Sequence, residues 1–551
     1  MAPTPGILYV TMQPKPGLPT SQFHDWYNNE HGPTRLRLSF IANGFRYRAT
    51  DLDGPGKGLP EWLAIYDVTD TAELTKDGYT RLRTDAVKSQ REKDVMSQIA
   101  VDRRILDFVE SRESEDFRRL EDVKDGLEEN VIVAVSLSLH PGEEHRKELD
   151  RWYAVEHIDM LSKVPGWLRT RRFMTSPVDG KGATEYLALH EYAPKNGLGG
   201  DKFKAAISTP WAESIMTKTV QERRRRTYDL SYTFGPAPRD LAPLSSADAP
   251  IFTSPDGQTK TLPGSQGGGS GGAIESYVTT QDGVHLPYRL EGSSDPHAPL
   301  IVLSNSVLVT WGIWDEFITA FFSNAANEKY RVLRYGTRGR TSDCGSQPVT
   351  IDVLASDIID LLDALRVPKA AALVGVSLGG ATVLNAALKY PNRVAAFVSC
   401  DTNANSPAGN SKAWGDRIAV AEKEGASQAG QPVVGEQLAE MTTKRWFAGN
   451  NESRFRTVKA MVESNSLAGF KKTVEALFAY DLRGEMKVSE VRGAFVVGSG
   501  DGVLPGAMKE MAASYGKNGA EYVVVDGAGH LPMVEEPRKF EAVISKFLAG
   551  P

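Results

Sequence analysis

The sequence predicts two domains of different class: an α+β tandem repeat before residue 235 and an α/β domain with a mostly parallel sheet after residue 272. A stretch of the first half, FHDWYNNEHGP, returns as LDRWYAVEHID, which indicates an internal duplication. From Ile274 onward, apolar strands alternate with amphipathic helices, as in parallel-sheet proteins. Residues 235–272 between them are rich in Pro, Gly, Ser and Ala, a composition typical of a flexible linker.

Composition excludes several classes of partner. The 551 residues carry a formal net charge of -6, so nothing attracts the protein to nucleic acid or an anionic membrane. Because no signal peptide and no run of about 18 apolar residues is present, we expect a cytoplasmic protein. The two cysteines, Cys344 and Cys400, exclude a disulfide framework, and no metal-binding spacing occurs. We expect a small-molecule substrate, no cofactor and no metal; homo-oligomerisation is left open.

The first half divides into two units, residues 1–125 and 126–234, each predicted as strand-helix-strand-strand-helix. The W-Y-x-x-E-H stretch of each unit sets the register, with His31 matching His157 at an offset of 126 residues. In both units an apolar strand precedes this stretch, and an arginine-rich segment and a second strand follow it. The recurrence of all these pieces in one order indicates two copies of one structural unit.

This pattern resembles EthD-like proteins of the dimeric α/β barrel superfamily, which have a ferredoxin-like fold, over residues 5 to about 234. The resemblance implies that the barrel such families build from two chains is here built from one. His31 and His157 are predicted near the C-terminal end of the first helix of each unit. They either bind substrate or close the helix and tie it to a neighbouring loop. The fold hosts several chemistries, so function is not read from it.

The arginine-rich run ERRRR, residues 222–226, also occurs in the first half. Such runs can bind nucleic acid or phosphate. Because this one follows a helical pattern, we interpret it as a solvated helix end.

In the second half, an apolar strand runs directly into Gly375-Val376-Ser377-Leu378-Gly379, and a helix follows. This G-x-S-x-G pattern predicts a nucleophile elbow, in which the serine takes a strained conformation and side chains at the two glycine positions would collide with neighbouring backbone. Ser377 is the predicted nucleophile. The backbone N–H groups of Leu378 and Val307 are the predicted oxyanion donors, Val307 because it follows the strand LIVLSNS.

A serine hydroxyl needs a base and an orienting carboxylate to become nucleophilic. His530 follows a strand and a glycine turn in VVVDGAGH, and Asp501 follows a strand in FVVGSGD. The order Ser377, Asp501, His530 is that of α/β-hydrolases. Asp401 at the end of FVSCD is the alternative acid, because some hydrolases supply the carboxylate from that earlier strand. A buried structural histidine and a turn aspartate are the non-catalytic interpretations of His530 and Asp501.

The segments IVLSNSVLVTWGIWDEF, RVLRYGTRGRTS, VGVSLGG, FVSCDTNA, KRWFAG and AYDLRG resemble 3-oxoadipate enol-lactonases over residues 274 to 550. The resemblance implies an α/β-hydrolase domain, residues 273–551, that cleaves a lactone or ester through an acyl-enzyme. It also implies a helical cap at about residues 402–482. Arg445 and Trp446 are then expected to line the substrate pocket, or else to pack between cap helices.

The fusion of the two halves suggests three functional hypotheses. In the first, a bifunctional enzyme of aromatic or polyketide specialised metabolism cyclises, isomerises or decarboxylates an intermediate in the barrel and hydrolyses it in the second domain. In the second, the barrel is a noncatalytic dimerisation module. In the third, the hydrolase fold serves as a lyase or cyclisation scaffold, against which the intact Ser-Asp-His set argues.

Overall fold

A computed structural model describes residues 2–119, 130–180, 182, 184–246, 249–264, 271–340, 343–426, 428 and 430–550. The chain forms two compact units, Met1–Pro238 and Arg239–Pro551. Within the described ranges, every helix is too short or too polar to span a bilayer.

The first unit is a closed barrel of eight antiparallel strands in the order β1-β3-β2-β8-β5-β7-β6-β4. The strands are β1 (Gly6–Pro14), β2 (Ile41–Ala49), β3 (Trp62–Val68), β4 (Ile99–Glu113), β5 (Val131–Leu139), β6 (Trp167–Thr175), β7 (Tyr186–Tyr192) and β8 (Val220–Thr233). β1 pairs with β3 and β4, and β5 pairs in the same way with β7 and β8. Each half therefore holds one strand more than the predicted strand-helix-strand-strand-helix unit. The predicted boundary at residues 125 and 126 lies outside the described residues.

The duplication extends to the details of the sheet. A register irregularity falls between Ile41 and Asn43 in β2 and again between Trp167 and Arg169 in β6, at the same offset of 126 residues as the two histidines. The strands β2 and β8, and β4 and β6, join the two halves. One chain thus closes the whole barrel.

The helices of this unit cover the outer face of the barrel sheet. They are α1 (Thr20–Trp26), α2 (Gly32–Leu36), α3 (Asp77–Thr80), α4 (Gln90–Ser97), α5 (Glu143–Trp152), α6 (Ile158–Ser162), α7 (Asp201–Ile207) and α8 (Pro210–Ser214). The prediction that the first helix of each repeat ends near its histidine is wrong. A π-helical turn, Tyr27–His31 or Tyr153–His157, carries the histidine and continues directly into α2 or α6.

The predicted helix end at residues 222–226 is wrong, because these arginines lie in strand β8. β8 is held on both edges, by β5 and by β2, and these ladders extend the chain. Arg226 is buried and its guanidinium donates to both carboxylate oxygens of Asp51. The strand period of two therefore gives the arginines of this run different environments.

The second unit is built on a ten-stranded sheet in the order β18-β17-β16-β15-β13-β14-β12-β11-β10-β9. The strands are β9 (Phe252–Thr253), β10 (Lys260–Leu262), β11 (Ala273–Thr279), β12 (His285–Gly292), β13 (Leu300–Ser304), β14 (Arg331–Tyr335), β15 (Ala372–Val376), β16 (Ala396–Cys400), β17 (Arg492–Gly498) and β18 (Glu521–Val525). All pairs from β14 to β18 are parallel, which confirms the predicted mostly parallel sheet. The predicted hairpin is β11 and β12.

Helices connect these strands. They are α9 (Asp315–Phe322), α10 (Ile351–Ala364), α11 (Leu378–Lys389), α12 (Asn410–Gly425), α13 (Glu436–Trp446), α14 (Glu452–Glu463), α15 (Leu467–Val474), α16 (Arg483–Met486), α17 (Leu504–Ala513), α18 (Pro532–Glu535) and α19 (Pro537–Ala549). Helices α12 to α15 lie between β16 and β17, inside the stretch 402–482 that was predicted to form the cap.

The structure differs from the flexible linker predicted at residues 235–272. Strands β9 and β10 lie in this stretch, and β10 pairs with β11 at the edge of the sheet. Leu244 and Thr261 are fully buried. A few apolar side chains in a Pro- and Gly-rich segment suffice here because an open sheet edge offers backbone hydrogen bonds. Residues 247–248 and 265–270 of the same stretch lie outside the described residues.

Candidate active site

Ser377 occupies a sharp turn between strand β15 and helix α11. Its backbone has φ 59° and ψ -115°, a conformation that non-glycine residues rarely adopt. A Cβ at Gly375 would lie 2.1 Å from the carbonyl oxygen of Gly379, and a Cβ at Gly379 would lie 2.3 Å from that of Ser304. Both predicted collisions are therefore confirmed. The strained turn holds the serine at the carboxyl end of the sheet, where it is partly accessible to solvent.

The two predicted oxyanion donors lie where the sheet meets the first turn of α11. Leu378 is the first residue of that helix, so its N–H has no acceptor within the helix. Val307 is buried, and its N–H donates to no acceptor among the described residues. Asn305 fixes the loop before Val307, because its side chain donates to the Tyr335 carbonyl at 2.7 Å and accepts from the Trp314 indole at 2.8 Å.

His530 and Asp501 are in direct contact. The distance from His530 Nδ1 to Asp501 Oδ2 is 2.7 Å, and both side chains keep a small accessible fraction. A carboxylate at Nδ1 fixes the proton on that nitrogen and leaves the Nε2 lone pair free. Burial alone would raise the pKa of Asp501, but the hydrogen bond from His530 holds it below the usual range. Asp501 is thus an ionised acceptor for the imidazole.

Asp401, the alternative acid, lies beside Asp501 at the end of β16. Its φ is 47°, its side chain is buried, and Oδ1 accepts the Gly498 N–H at 2.9 Å. Burial and the neighbouring charge of Asp501 raise the pKa of Asp401 well above its usual range. A protonated Asp401 can donate to Asp501, which gives that carboxylate a second hydrogen bond. The structure therefore brings both acids together and puts Asp501 on the imidazole.

The ligand atoms of Asp401, Asp501 and His530 lie within 4.8 Å of one another. Three such donors are also a geometry that can hold a metal ion. The Nδ1 of His530 is already committed to Asp501, however, at a distance of 2.7 Å. A hydrogen-bonded acid pair that orients the imidazole accounts for the cluster without an ion.

Two residues hold the histidine loop in place. The Trp446 ring stacks on the His530 ring at 5.5 Å between centroids, and the Trp446 carbonyl accepts the His530 backbone N–H at 2.7 Å. Glu535, which sequence reasoning missed, accepts from the backbone N–H groups of Ala448 at 2.8 Å and of Gly529 at 2.5 Å. Its carboxylate thus joins the end of helix α13 to the histidine loop. Its place five residues after His530 was the only available signal.

Arg445 and Trp446 differ in their surroundings, although they are adjacent at the end of α13. Trp446 is buried, whereas Arg445 is exposed. Although part of Arg445 is accessible to solvent, the surrounding protein removes water from its side chain and lowers its pKa, and the charge of Asp501 opposes this. Arg417 of helix α12, which sequence reasoning missed, has a pKa lowered to about 10 by burial and by Arg445. No ion pair joins either arginine to a carboxylate in the described part of the chain.

The other two predicted residues, His31 and His157, belong to the unit Met1–Pro238. His31 Nδ1 is 3.0 Å from Glu92, and His157 Nδ1 is 3.2 Å from the carbonyl oxygen of Ala206. Burial lowers the pKa of both histidines to about 4, so both are neutral at pH 7. His31 serves a buried polar cluster with Arg35 and Glu92, whereas His157 lines a cavity.

Comparison with known proteins identifies the second half. A model of the alpha/beta hydrolase family matches residues 301–543. These residues form an α/β hydrolase domain. Enol-lactonases resemble this domain, as its motifs predicted: 3-oxoadipate enol-lactonase 1 of Acinetobacter baylyi is 28% identical over 278 residues, which are 49% of this chain and 96% of that protein. 3-Oxoadipate enol-lactonase 2 of the same organism is 28% identical over 283 residues, 50% of this chain and 98% of that protein.

Among solved structures, the enol-lactonase from Burkholderia xenovorans LB400 aligns with 27% identity and a TM-score of 0.44, covering 50% of this chain and 100% of that chain. Each of these comparisons thus covers about half of the protein. The EthD-like resemblance of the barrel stays a prediction.

Proposed function

We propose that the hydrolase domain is a serine hydrolase that cleaves a lactone or ester bond through an acyl-enzyme at Ser377. The contact of 2.7 Å between His530 and Asp501 carries the proposal, because it gives the imidazole the tautomer of a general base. The strained turn at Ser377, on the same parallel sheet, supports the nucleophile. The similarity to enol-lactonases favours a lactone or ester over other acyl bonds.

In the proposed mechanism, Nε2 of His530 takes the Ser377 proton while Oγ attacks the carbonyl carbon. The carbonyl oxygen becomes an oxyanion and accepts from the N–H groups of Val307 and Leu378. Collapse of this intermediate breaks the bond to the leaving oxygen, which takes the proton from His530. Water, deprotonated by His530, then attacks the acyl-enzyme, and Ser377 leaves with that proton.

The cap favours a substrate that carries a negative charge. The charge of Arg445 lowers the pKa of Arg417, and neither arginine forms an ion pair with a carboxylate among the described residues. Two like charges in such a place gain stability when an anion binds between them. We therefore favour a lactone or ester with a carboxylate or enolate near the bond that is cleaved.

The test is steady-state kinetics of Ser377→Ala, His530→Ala and the double variant on p-nitrophenyl acetate and on an enol-lactone. Each single substitution is expected to lower kcat by roughly 10³-fold or more, and the double variant to fall little further, since the two residues act as one unit. A fluorophosphonate should label wild-type Ser377, detected by peptide mass spectrometry.

His157→Gln in the barrel and Ser514→Ala on the surface are the matched controls, and both should keep wild-type ester hydrolysis. Full activity of Ser377→Ala, or labelling that persists in it, would refute the assignment and leave the chemistry to another residue.

A further inference from the structure

The second repeat of the barrel unit contains a cavity of about 400 Å³ between the outer face of its sheet and helices α5 to α8. This volume lies within the range of small-molecule sites. Its walls are mainly apolar and aromatic: Val133, Val135, Trp152, Leu161, Phe203 and Met216. Such walls suit a planar, apolar ring.

Two neutral histidines also line this cavity, and we assign opposite tautomers to them from their hydrogen bonds. His157 Nδ1 faces the Ala206 carbonyl, which can only accept, so the proton is on Nδ1 and Nε2 is an acceptor. His190 Nδ1 lies 3.0 Å from the Thr170 hydroxyl, which already accepts from the Trp167 indole. That hydroxyl has its own proton to donate, and we assign this proton to the bond with His190 Nδ1, which places the histidine proton on Nε2.

The cavity holds two further polar groups that form no hydrogen bond or ion pair among the described residues, and one of them, Arg225, lies over the Phe203 ring at 5.8 Å. The Tyr192 hydroxyl is buried and has no hydrogen-bond partner among the described residues. Arg225 also lines the cavity and is partly exposed to solvent. No carboxylate forms an ion pair with it in the described ranges. Burial lowers the pKa of His190, and partial loss of water around its side chain lowers that of Arg225. An unpaired buried hydroxyl is unfavourable, which indicates that a ligand completes these contacts.

In the first repeat the corresponding space is filled. Gly44 of the first repeat corresponds to Thr170 of the second at the offset of 126 residues. Gly44 pairs with Tyr66 across the sheet and Thr170 pairs with His190, so Tyr66 is the counterpart of His190. Its hydroxyl bonds to that of Tyr27 at 3.1 Å. The fully buried Phe234, which follows β8, stacks on Tyr66 at 5.9 Å between ring centroids.

The counterpart of Phe234 cannot fill the second repeat. Phe234 donates its backbone N–H to Gly44, whereas the residue opposite Thr170 is Arg112, whose side chain is exposed and bonds to the Ala154 carbonyl. The position of Tyr192 also differs between the repeats. Tyr192 pairs with Trp167, and the equivalent pair in the first repeat is Val68 with Ile41, so the first repeat has an apolar valine in place of the tyrosine hydroxyl. The two repeats thus share one backbone, but Tyr66 and Phe234 occupy the place in the first repeat that corresponds to the cavity of the second.

We propose that this cavity binds a planar aromatic acid, with the acidic oxygen held by His190, Tyr192 and Arg225 and the ring packed against Trp152 and Phe203. The three donors are electrostatically coupled, since Arg225 acts on the charge of both His190 and Tyr192. A carboxylate or phenolate accepts from all three, and charge-assisted hydrogen bonds of this kind are strong. A further hydroxyl on the ring can donate to Nε2 of His157. The proposal is independent of the hydrolase assignment.

The test is isothermal titration of the full-length protein at pH 7 with 2-naphthoate, with the neutral 2-naphthamide and the non-aromatic cyclohexanecarboxylate as comparison ligands. Wild type is expected to bind 2-naphthoate more tightly than either. Tyr192→Phe and Arg225→Gln should each weaken 2-naphthoate binding roughly tenfold, and Arg225→Gln should leave 2-naphthamide unchanged. Tyr66→Phe, which removes the matching hydroxyl of the filled repeat, should bind like wild type.

Val135→Phe, which puts an aromatic ring into the cavity, should abolish this binding while the circular dichroism spectrum is retained. Absence of 2-naphthoate binding to wild type would overturn the proposal. Equal affinity in wild type, Tyr192→Phe and Arg225→Gln would overturn it too, because the ligand would then occupy another site, such as the cap arginines of the hydrolase. Neither result would bear on Ser377, whose ester kinetics are measured separately.

Discussion

Replacing Asp501 by asparagine is expected to lower kcat/KM for ester hydrolysis by roughly 10³- to 10⁴-fold. The carboxylate lies 2.7 Å from His530 Nδ1 and becomes the counter-ion of an imidazolium when Ser377 is deprotonated. Two unit charges about 4 Å apart gain about 4 kcal/mol at an effective dielectric constant near 20, which is about 10³-fold in rate. Loss of the correct tautomer adds to this.

The same change at Asp401 is expected to lower kcat/KM by less than about tenfold. A protonated Asp401 and an asparagine have nearly the same shape and the same capacities: each can accept the Gly498 N–H and can donate to Asp501. Asp401→Ala removes that donor and should reduce the rate by roughly 10- to 100-fold, the range for a hydrogen bond to a charged group.

The assay is kcat/KM of the three variants on p-nitrophenyl acetate between pH 6 and pH 9, with folding checked by circular dichroism. The expected order of damage is Asp501→Asn, then Asp401→Ala, then Asp401→Asn. If Asp401→Asn is as inactive as Asp501→Asn, Asp401 acts as an ionised acid and the assignment of its proton is wrong.

Two further predictions concern stability. A fragment of residues 239–551 should unfold at a higher temperature than a fragment of residues 273–551, because the shorter fragment lacks β9, β10 and the buried side chains of Leu244 and Phe252. Burial of each of these two side chains contributes about 1.5–3 kcal/mol to the free energy of unfolding. Equal unfolding midpoints would show that this segment adds no stability. The protonated form of Asp401 stabilises the fold fully below its unfolded-state pKa near 3.8, and this contribution is lost as the pH rises through the raised folded-state pKa. Asp401→Asn should therefore raise the unfolding free energy relative to wild type more at pH 8 than at pH 5, and a pH-independent difference in urea titrations would contradict the raised pKa.

The features that sequence predicts well in this protein are local. Gly375 and Gly379 specify the turn at Ser377 through contacts within one strand, one helix and the adjoining strand end, so the pattern of five residues sufficed. The order of Ser377, Asp501 and His530 along the chain could also be recognised, because it is the order of the catalytic residues in α/β-hydrolases. The proton of Asp401, by contrast, depends on burial and on its distance from Asp501, which no spacing reveals.

Non-local pairing caused the errors. The edge strands β9 and β10 depend on a sheet edge supplied by β11, so composition alone marked their segment as a linker. The backbone of the arginine run at residues 222–226 is extended because its strand pairs with β5 and β2, although the sequence before it has a helical pattern. The difference between the two histidines has the same origin. His31 and His157 lie in nearly identical sequence stretches, but Glu92 forms a hydrogen bond with His31 alone.

The fusion of both repeats into one chain explains how they could diverge. A barrel made from two identical chains has two equal cavities, because symmetry places every residue twice. Here each repeat keeps its frame, since Arg46 lies over the Tyr27 ring at 4.7 Å and Arg172 over the Tyr153 ring at 4.1 Å. Phe234 fills the first repeat, where a buried phenylalanine is worth about 1.5–3 kcal/mol. A single chain can thus stabilise the barrel through one repeat and keep polar groups such as the Tyr192 hydroxyl unpaired in the other, which two identical chains could do only by leaving both cavities open.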